Sequence, residues 1–597
     1  MSIFTKNLMV KPKTSMFGLT HTNTLTLDMP YLTPVLCRDV LPGDTWQIRS
    51  EVFLRMMPML SPIMQDVDVY VHYFFCPLRL LTQDYDKFFN PEEQDNVFRP
   101  FLDPSKFVDY LRLIPTTDPD ELPIEELSRS EGDQQFYEFA SLLMEGSLAD
   151  YLGIPVLSWN NYIYVENESY DIATLKTDLA KLPKFSAYPF LMYQLIYDDF
   201  YRDQTLEESF LELLDPETDG WLKGKVSLDE PFDLISAEGW RLLLSIRTRA
   251  WKKDYFTSAL PTPQAGPDVH LPLTGDAPVV LHPNTPGQEY EYSQQLVRDR
   301  NGNIAQGDPS VDAVGFLGNA NNQHGQLVDQ LYQNDIILDP NGTLKADMTE
   351  VTSATINELR RAVRAQEFLE KCARGGRRYI EMILSHFGVK SSDARLDRPE
   401  FLGGGRQPFT ISEVLSHVGE AEGQDFVLGE MGGHAVSYGN TSRTRRYFEE
   451  HGYLFAIMSV LPKASYQQGL ERHWSRETIY DYAWPSFANL GEQEILNKEI
   501  YAQHSSPDGV FGYAPRYSEY KYIPSSVHGA MRSSLNYWHL GRIFSSAPAL
   551  NADFVHPKPE ELKRIFAVQD ETNSILGIIR HNIQVKRRLP KYGIPTL

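Results

Sequence analysis

Two early segments of the chain alternate between apolar and polar residues with a period of two. Their apolar positions are Trp46, Ile48, Val52 and Leu54 in the first segment and Val67, Val69, Val71 and Tyr73 in the second. Successive side chains of a β-strand point to opposite faces, so both patterns predict half-buried strands. The segment between them, MMPMLSPIMQ at 56–65, contains two prolines and is typical of a connection. We therefore expect the two strands to be antiparallel neighbours.

The end of the chain shows the same alternation. One face carries Ile575, Ile579, Ile583 and Val585, and the other carries Arg580, Gln584, Lys586 and Arg588. This pattern predicts a last strand that closes a sheet. Strands at both termini with long non-strand material between them favour one barrel interrupted by insertions, because the end strands of Greek-key and jelly-roll topologies can pair.

Helical periodicity is concentrated in residues 353–388. Thr355 and Glu358 have the spacing of a capping box at the start of the first helix. The apolar stripe of this helix consists of Ile356, Leu359 and Val363. A Gly-Gly pair interrupts the pattern, and a second helix is predicted from Arg377 to Phe387. We interpret the pair as a packed helical insertion.

Three other stretches are typical of surface insertions. Two of them, 117–147 and 198–250, are acidic with helical character, and the third, 267–346, is rich in loops. The third stretch contains two Asn-Gly steps, and the step at 341–342 predicts a hairpin tip. Long loops inside a compact domain are usually functional, so we predict that 267–346 is a variable insertion that projects outward.

The charge balance limits the partners of the chain. With 80 acidic and 56 basic residues the net charge is -24, so the surface as a whole repels nucleic acid, and any DNA contact must be local. The three cysteines, Cys37, Cys76 and Cys372, lie far apart in sequence and argue against a disulfide framework. No apolar run approaches the length needed to span a bilayer, so a soluble protein in a reducing cytoplasm is expected.

No segment carries a motif of a catalytic or metal site. The 15 histidines include no HExxH and no paired Cys/His spacing. The glycines at 403–405 and 432–433 do not fit a phosphate-binding loop and predict tight turns. We therefore predict no catalytic residue, no cofactor and no metal, although a pair of carboxylates in a cleft stays an open alternative.

One segment departs from the acidic trend. Between residues 580 and 591 there is no acidic residue, and the basic residues are Arg580, Lys586, Arg587, Arg588 and Lys591. Lys and Arg neutralise phosphates without reading bases, so these residues are predicted to contact DNA non-specifically. A subunit contact or a solvated tail is the alternative.

Several segments occur in an order that resembles a known protein family. The clearest are GYLFAIMSVLP at 452–462, YQQGLERHWSR at 466–476, FGYAPRYSEYKYIPSSVHG at 511–529 and MRSSLNYWHL at 531–540. Further runs are HYFFCPLRLL at 72–81, YPFLMYQLIYDDFYRDQ at 188–204 and DARLDRPEFLGGG at 393–405. Together they resemble the major capsid protein of the Microviridae, small single-stranded DNA bacteriophages, and more closely that of the gokushovirus branch.

This resemblance implies a fold and a function. The implied fold is mainly β: residues 1–597 form a single eight-stranded antiparallel jelly-roll of the viral capsid type with long loop and helical insertions. Residues 446–597 supply the C-terminal strands and interface loops, and residues 267–346 supply a surface protrusion. The implied function is self-assembly, in the bacterial host cytoplasm, of a T=1 icosahedral shell that encloses circular single-stranded DNA. The implied partners are further copies of the chain, the packaged DNA, a small basic DNA-binding protein, a DNA pilot protein and a host surface receptor.

Residue type then predicts which surfaces make contacts. Large aromatic side chains offer rigid contact area, so subunit contacts are predicted where they cluster, with a core role as the alternative. The predicted interface residues are Trp474, Tyr482, Trp484, Tyr513, Tyr517, Tyr520 and Trp538. Host contacts are predicted at Asp299, Asn301, Asp339 and Asn341. The competing function is a jelly-roll carbohydrate-binding protein or carbohydrate-active enzyme, because the fold hosts sugar sites as well as capsids.

Overall fold

The computed structural model describes most of the chain in separate stretches. The described residues are 13–81, 101–105, 108, 121–123, 139–164, 169–209, 237–267, 269, 279–281, 297–298, 337–338, 344–346, 355–376, 378–415, 431–568 and 573–592. The chain divides into two compact units. One comprises Met1–Ala265 and Glu370–Leu597, and the other comprises Gly266–Leu369.

Eleven strands of the first unit form two large sheets. These strands are β1 (Ser15–Gly18), β2 (His21–Leu27), β3 (Thr33–Val40), β4 (Thr45–Met56), β5 (Val67–Pro77), β6 (Glu400–Pro408), β7 (Thr410–Leu415), β8 (Met431–Asn440), β9 (Thr444–Tyr447), β10 (Gly452–Pro462) and β11 (Ile575–Arg587). The larger sheet has the order β2–β11–β4–β8–β7, with β1 also paired to β11 and β9 also paired to β4. The smaller sheet has the order β6–β5–β10–β3, and all of these pairs are antiparallel.

The pairing of the two ends of the chain is confirmed. Strand β11 pairs with β4 on one side and with β1 and β2 on the other. Its residues alternate between buried and exposed along the strand, as the sequence predicts. The N-terminal and C-terminal strands are therefore neighbours in the larger sheet.

The expectation that β4 and β5 are antiparallel neighbours is wrong. Strand β4 lies in the larger sheet, and β5 lies in the smaller sheet between β6 and β10. The connection between them contains Pro58 and Pro62, which cannot donate backbone hydrogen bonds to a continuing ladder. This connection carries the chain from one sheet to the other.

The main hydrophobic core lies between the two sheets. The predicted apolar face of β4 is buried, and it packs with residues of β5, β10 and β11 in one cluster. Because both sheets contribute alternate residues to this cluster, they pack face to face as a sandwich.

Strand β5 is buried on both faces, which corrects the prediction of a half-buried strand. Val67, Val69 and Val71 face the core between the sheets. Phe74 and Cys76 belong to a second cluster that includes most of the helix Tyr188–Phe200. This helix covers the outer face of the smaller sheet, so β5 has no solvent-exposed side.

The described helices are mostly short. They are α1 (Leu148–Leu152), α2 (Ile172–Lys181), α3 (Tyr188–Phe200), α4 (Ala237–Leu244), α5 (Ile356–Gly375), α6 (Tyr379–Phe387), α7 (Asn497–Ile500), α8 (Ala552–Val555) and α9 (Pro559–Lys563). The predicted capping box is confirmed. The backbone N–H of Thr355 donates to Glu358 Oε2 (2.7 Å), and the backbone N–H of Glu358 donates to Thr355 Oγ1 (3.2 Å). Helix α6 ends at Phe387, as predicted, and Gly388 follows it in the left-handed conformation.

The helical pair does not pack as the sequence suggests. No residue of α5 or α6 is buried. The apolar stripe of α5 is exposed: Ile356 by 70%, Leu359 by 45% and Val363 by 48%. The apolar stripe is therefore left without a partner within the part of the chain that the structure describes.

The remaining described strands form small sheets. In the first unit, Phe101–Leu102 pairs with Phe185–Ser186, Glu492–Leu496 with Val510–Pro515, and Ser169–Asp171 with both Glu121–Pro123 and Ile163–Tyr164. In the second unit, Val279–Leu281 pairs with Leu344–Ala346, and Val297–Arg298 with Ile337–Leu338. The predicted hairpin tip at Asn341 lies outside the described residues. Across the described stretches, no helix combines the length and apolarity needed to cross a membrane.

Candidate nucleic-acid and subunit interfaces

The exposed face of β11 carries part of the predicted basic patch. Arg580 and Lys586 are exposed, because they alternate with the buried residues Ile579, His581 and Val585. Arg588 and Lys591 follow the strand and are also exposed. Four of the five predicted DNA-contact residues are therefore accessible to a ligand on the outer side of the larger sheet or next to it.

Arg587 is different because it forms a buried ion pair. Its guanidinium donates to Oδ2 of Asp44 at 2.8 and 2.9 Å, and the Asp44 side chain is fully buried. The indole N–H of Trp46 donates to the same oxygen at 3.1 Å. A buried carboxylate needs such partners, so Arg587 is held by the interior of the protein.

Strand pairing adds basic residues that the sequence analysis missed. In the larger sheet Arg49 of β4 lies opposite Asn582, and Arg55 lies opposite Leu576. Arg445 of β9 lies opposite Gln47. Directly opposed residues of an antiparallel pair point to the same side of the sheet. The resulting set, called here the basic face, consists of Arg49, Arg55, Arg445, Arg580 and Lys586.

Two aromatic side chains lie among these cations. Phe53 is opposite Ile578 on one side and Tyr438 on the other, and Tyr438 is 69% exposed. One carboxylate, Glu51, shares this side of the sheet and accepts a hydrogen bond from Asn582 (2.8 Å). Exposed rings beside several cations provide both stacking and phosphate contacts for a single strand. The alternation along β4 indicates that Arg49 and Arg55 lie on its exposed face. It does not show that they lie beside β11, because β4 and β11 are far apart in the sequence.

The predicted interface aromatics divide into two groups. Trp474, Tyr482, Trp484 and Tyr520 are 47–72% exposed. Tyr517 is buried, and Tyr513 and Trp538 are partly buried. Tyr513 exchanges two backbone hydrogen bonds with Leu260. The first group is available for contacts with another chain, and the second is engaged within the protein.

The exposed group has neighbours of the same character. Together with further exposed residues it forms a set called here the aromatic surface, which consists of Trp474, Ile479, Tyr480, Tyr482, Trp484, Tyr520 and Ile523. Ile523 is the most exposed of these, at 80%. Exposed apolar side chains in such number mark interaction sites on soluble proteins.

Local contacts hold the aromatic surface in place. The guanidinium of Arg476 lies 5.3 Å from the ring centre of Tyr482 and 4.5 Å from that of Tyr520. The indole N–H of Trp484 donates to the backbone oxygen of Ile479 at 2.7 Å, and the backbone N–H of Ala483 donates to the Tyr520 hydroxyl at 3.3 Å. Side chains ordered in this way lose little further entropy when a partner binds.

The structure contains a charged cleft, which is lined in part by Arg202, Glu207 and Arg378. A carboxylate in such a cleft is the residue type that a sugar-cleaving site would need. The Glu207 carboxylate accepts hydrogen bonds from Tyr197 (2.6 Å) and contacts His556 Nε2 (2.8 Å). Burial alone would raise the pKa of Glu207, but these partners outweigh it and hold the pKa below its usual range. Glu207 is therefore ionised and does not provide the protonated acid that a glycosidase needs.

The predicted host-contact residues Asp299, Asn301, Asp339 and Asn341 lie outside the described residues. Within the described ranges there is no group of three or more His, Cys, Asp or Glu side chains suited to a metal ion.

The described part of the chain combines two packed antiparallel sheets with a basic sheet face and exposed aromatic side chains. These features are typical of a protein that binds other molecules through broad surfaces. The sequence matches the family described as "Capsid protein (F protein)" over residues 9–109 and 134–597, so the chain belongs to this phage capsid protein family.

Curated relatives agree with this assignment. Capsid protein VP1 of Bdellovibrio phage phiMH2K is 32% identical over 95% of this chain and 92% of its own length. Capsid protein VP1 of Chlamydia phage 1 is 30% identical, covering 98% of this chain and 95% of the relative. Capsid protein VP1 of Spiroplasma virus 4 is 27% identical with the same coverage. All three viruses are Microviridae, and the chain is a structural major capsid protein of this kind.

Proposed function

We propose that the two large sheets form an eight-stranded jelly-roll. The central strands have the order β2–β11–β4–β8 in the larger sheet and β3–β10–β5–β6 in the smaller one. Along the chain, every connection between these eight strands changes sheet except the one from β5 to β6. This order is that of two interlocked Greek keys, and β1, β7 and β9 are additions at its margins.

We propose that copies of the chain assemble into a T=1 icosahedral shell in the bacterial host cytoplasm. The observation that carries this proposal is the likeness to capsid proteins VP1 along nearly the whole chain. A closed shell of identical subunits needs several different contact surfaces on each copy. The aromatic surface supports the proposal because it provides rigid, exposed area for one of these contacts.

We propose that the basic face lies against circular single-stranded DNA inside the shell. It collects five cations and one carboxylate, whereas the chain as a whole has a net charge of -24. Repeated by symmetry, such a face neutralises phosphates without reading sequence. Arg588 and Lys591 extend it beyond β11. A small basic DNA-binding protein would supply further positive charge, and a DNA pilot protein is a further proposed partner.

We propose that residues 267–346 form the surface protrusion and contact a host receptor. Support comes from the division of the chain, because Gly266–Leu369 is a compact unit of its own. Asp299, Asn301, Asp339 and Asn341 are the proposed contacts, as polar residues near the two Asn-Gly steps of this stretch.

Negative-stain microscopy tests the shell directly. The chain is expressed alone and together with neighbouring phage proteins, and particles are scored for uniform diameter. Uniform closed shells are expected, and deletion of residues 273–346 is expected to remove surface knobs from them. Monomers under both conditions, with turnover of an oligosaccharide, would contradict the shell and favour a carbohydrate-active jelly-roll.

A further inference from the structure

A row of exposed apolar and aromatic side chains crosses the outer side of the larger sheet. Ile578 of β11 lies opposite Phe53 of β4, and Phe53 lies opposite Tyr438 of β8. The three side chains are 47%, 37% and 69% exposed, respectively. Directly opposed residues of antiparallel strands have Cβ atoms about 5 Å apart and point to the same side of the sheet. These three residues, called here the apolar row, therefore form a surface that spans three neighbouring strands.

Arginines flank the apolar row on both sides. Side chains two residues apart on a strand share a face of the sheet and are separated by about 7 Å along the strand. At this distance from the row lie Arg55, two residues after Phe53 on β4, and Arg580, two residues after Ile578 on β11. Because β4 and β11 are antiparallel, the two arginines lie on opposite sides of the row, and both are exposed.

One carboxylate lies on the same face of these strands. Glu51 is opposite Arg580, and it accepts a hydrogen bond from the side-chain amide of Asn582 (2.8 Å). Arg49, two residues before Glu51 on β4, adds a further exposed cation. Positive charge therefore outweighs negative charge around the row, which favours an anionic ligand.

A ligand that uses this whole surface must combine negative charge with flat apolar groups. Single-stranded DNA provides both, because its phosphates pair with cations and its bases stack on aromatic side chains. A DNA duplex provides its phosphates only, because its bases are already stacked on one another. An apolar segment of protein would cover the row but would leave the arginines without counter-charges.

We propose that bases of the packaged single strand stack on Phe53 and Tyr438, while Arg55 and Arg580 bind its phosphates on either side of the apolar row. This stacking rests on the proposed DNA face and deepens it, because phosphate contacts alone leave the bases unbound. Stacking depends little on salt, so a part of the affinity persists when salt weakens the phosphate contacts. It also does not read the order of the bases, because every base has a face that can stack.

Two oligonucleotides of equal length separate stacking from phosphate binding. One is a thymidine strand, and the other has the same sugar-phosphate backbone but carries no bases. Their affinities for the purified, unassembled chain are measured by fluorescence anisotropy over a series of salt concentrations. We expect the thymidine strand to bind about tenfold more tightly for each base that stacks, and we expect this ratio to stay the same as the salt concentration rises.

A double substitution assigns this difference to the two rings. Phe53→Leu with Tyr438→Leu removes both aromatic faces, so the thymidine strand is expected to bind only as tightly as the strand without bases. The affinity for the strand without bases is expected to stay unchanged, which shows that the variant is folded. Tyr379→Leu with Phe387→Leu makes the same changes at exposed residues of α6 and is expected to keep the preference for the thymidine strand.

The outcomes distinguish the stacking from the DNA face itself. Equal affinities of the unmodified chain for both strands would overturn the stacking and leave the DNA face intact. A preference for the thymidine strand that survives in the variant of Phe53 and Tyr438 would do the same. Binding of neither strand by the unmodified chain would overturn the DNA face and the stacking together.

Discussion

The hydroxyl of Ser50 lies 2.7 Å from Nδ1 of His581, although 531 residues separate them in sequence. The same hydroxyl lies 2.5 Å from the hydroxyl of Tyr73, which in turn lies 2.7 Å from Oγ1 of Thr441. Nε2 of His581 lies 3.1 Å from the backbone oxygen of Val35. This polar network inside the apolar core ties together strands of both sheets, and each of its members finds a partner.

The network predicts that acid destabilises the fold through His581. Burial, reinforced by nearby His21, lowers the pKa of His581 from 6.5 to about 4. The folded protein therefore keeps His581 neutral, while the unfolded chain takes up a proton below pH 6.5. Stability is complete above pH 6.5 and falls between pH 6.5 and 4 by roughly 3 kcal/mol from this residue. Denaturant unfolding at pH 7.5 and pH 4.5 measures the loss.

A variant of His581 separates its contribution to the acid-dependent loss of stability from the contributions of other groups. Burial also lowers the pKa of His72 to about 4, so His72 contributes in the same direction. In His581→Gln the stability difference between the two pH values is expected to shrink by the share of His581, roughly 3 kcal/mol. His528→Gln, at an exposed histidine, is the control and should keep the full difference. An unchanged pH dependence in His581→Gln would contradict the assignment.

Tyr73→Phe tests the network without changing the size of the core. The variant removes the hydroxyl that joins Ser50 to Thr441 and leaves the ring in place. We expect a loss of about 1–2 kcal/mol in the free energy of unfolding, because the partners keep their other hydrogen bonds. Tyr438→Phe, on the exposed side of the larger sheet, should change stability by less than about 0.5 kcal/mol. If Tyr73→Phe were as stable as Tyr438→Phe, the hydrogen bonds of the Tyr73 hydroxyl would contribute nothing to the stability of the fold.

Arg587→Met is expected to cost more than any of these changes. The variant leaves the Asp44 carboxylate fully buried without its cation, and breaking a buried pair in this way typically costs about 3–5 kcal/mol. Urea unfolding of Arg587→Met beside Lys586→Met gives the comparison, because Lys586 is exposed on the same strand. A loss in Lys586→Met as large as that in Arg587→Met would contradict the buried pair.

The same strand shows how far sequence reasoning extends here. Alternation identified the buried face of β11 correctly, because a half-buried strand repeats every two residues whatever it pairs with. It could not separate Arg587 from its basic neighbours, because Asp44 lies 543 residues earlier and only the fold brings the two together. The alternation along β5 predicts a half-buried strand for a similar reason. The helix that buries the outer face of β5, α3, lies more than 100 residues later in the chain and is not visible in the local pattern. The start of α5 was predicted well because a capping box is local.

The affinity of the basic face for DNA is expected to fall as the salt concentration rises. The steepness of this fall is expected to grow with the number of cations that contact phosphates. Each phosphate neutralised on a single strand contributes about 0.7 to the slope of log affinity against log salt concentration. Replacing Arg49, Arg55, Arg580 and Lys586 by Gln together should therefore lower the slope by about 2–3, measured with a fluorescent oligonucleotide. The control replaces four exposed lysines elsewhere by Gln, namely Lys252, Lys371, Lys390 and Lys558. Equal slopes in the two variants would count against the basic face.

The aromatic surface is expected to be needed for assembly and not for folding. Trp474 and Ile523 are 72% and 80% exposed, so a carboxylate at either position costs the single chain little. In a subunit contact the same carboxylate would be buried without a partner, which costs several kcal/mol per copy and is repeated throughout a closed shell. Trp474→Asp and Ile523→Asp are therefore expected to give folded chains that sediment as small species in place of shells. Tyr592→Asp, at a residue 74% exposed beyond β11, is the matched control and should assemble normally. If both variants formed shells as readily as this control, the aromatic surface would lie outside every subunit contact.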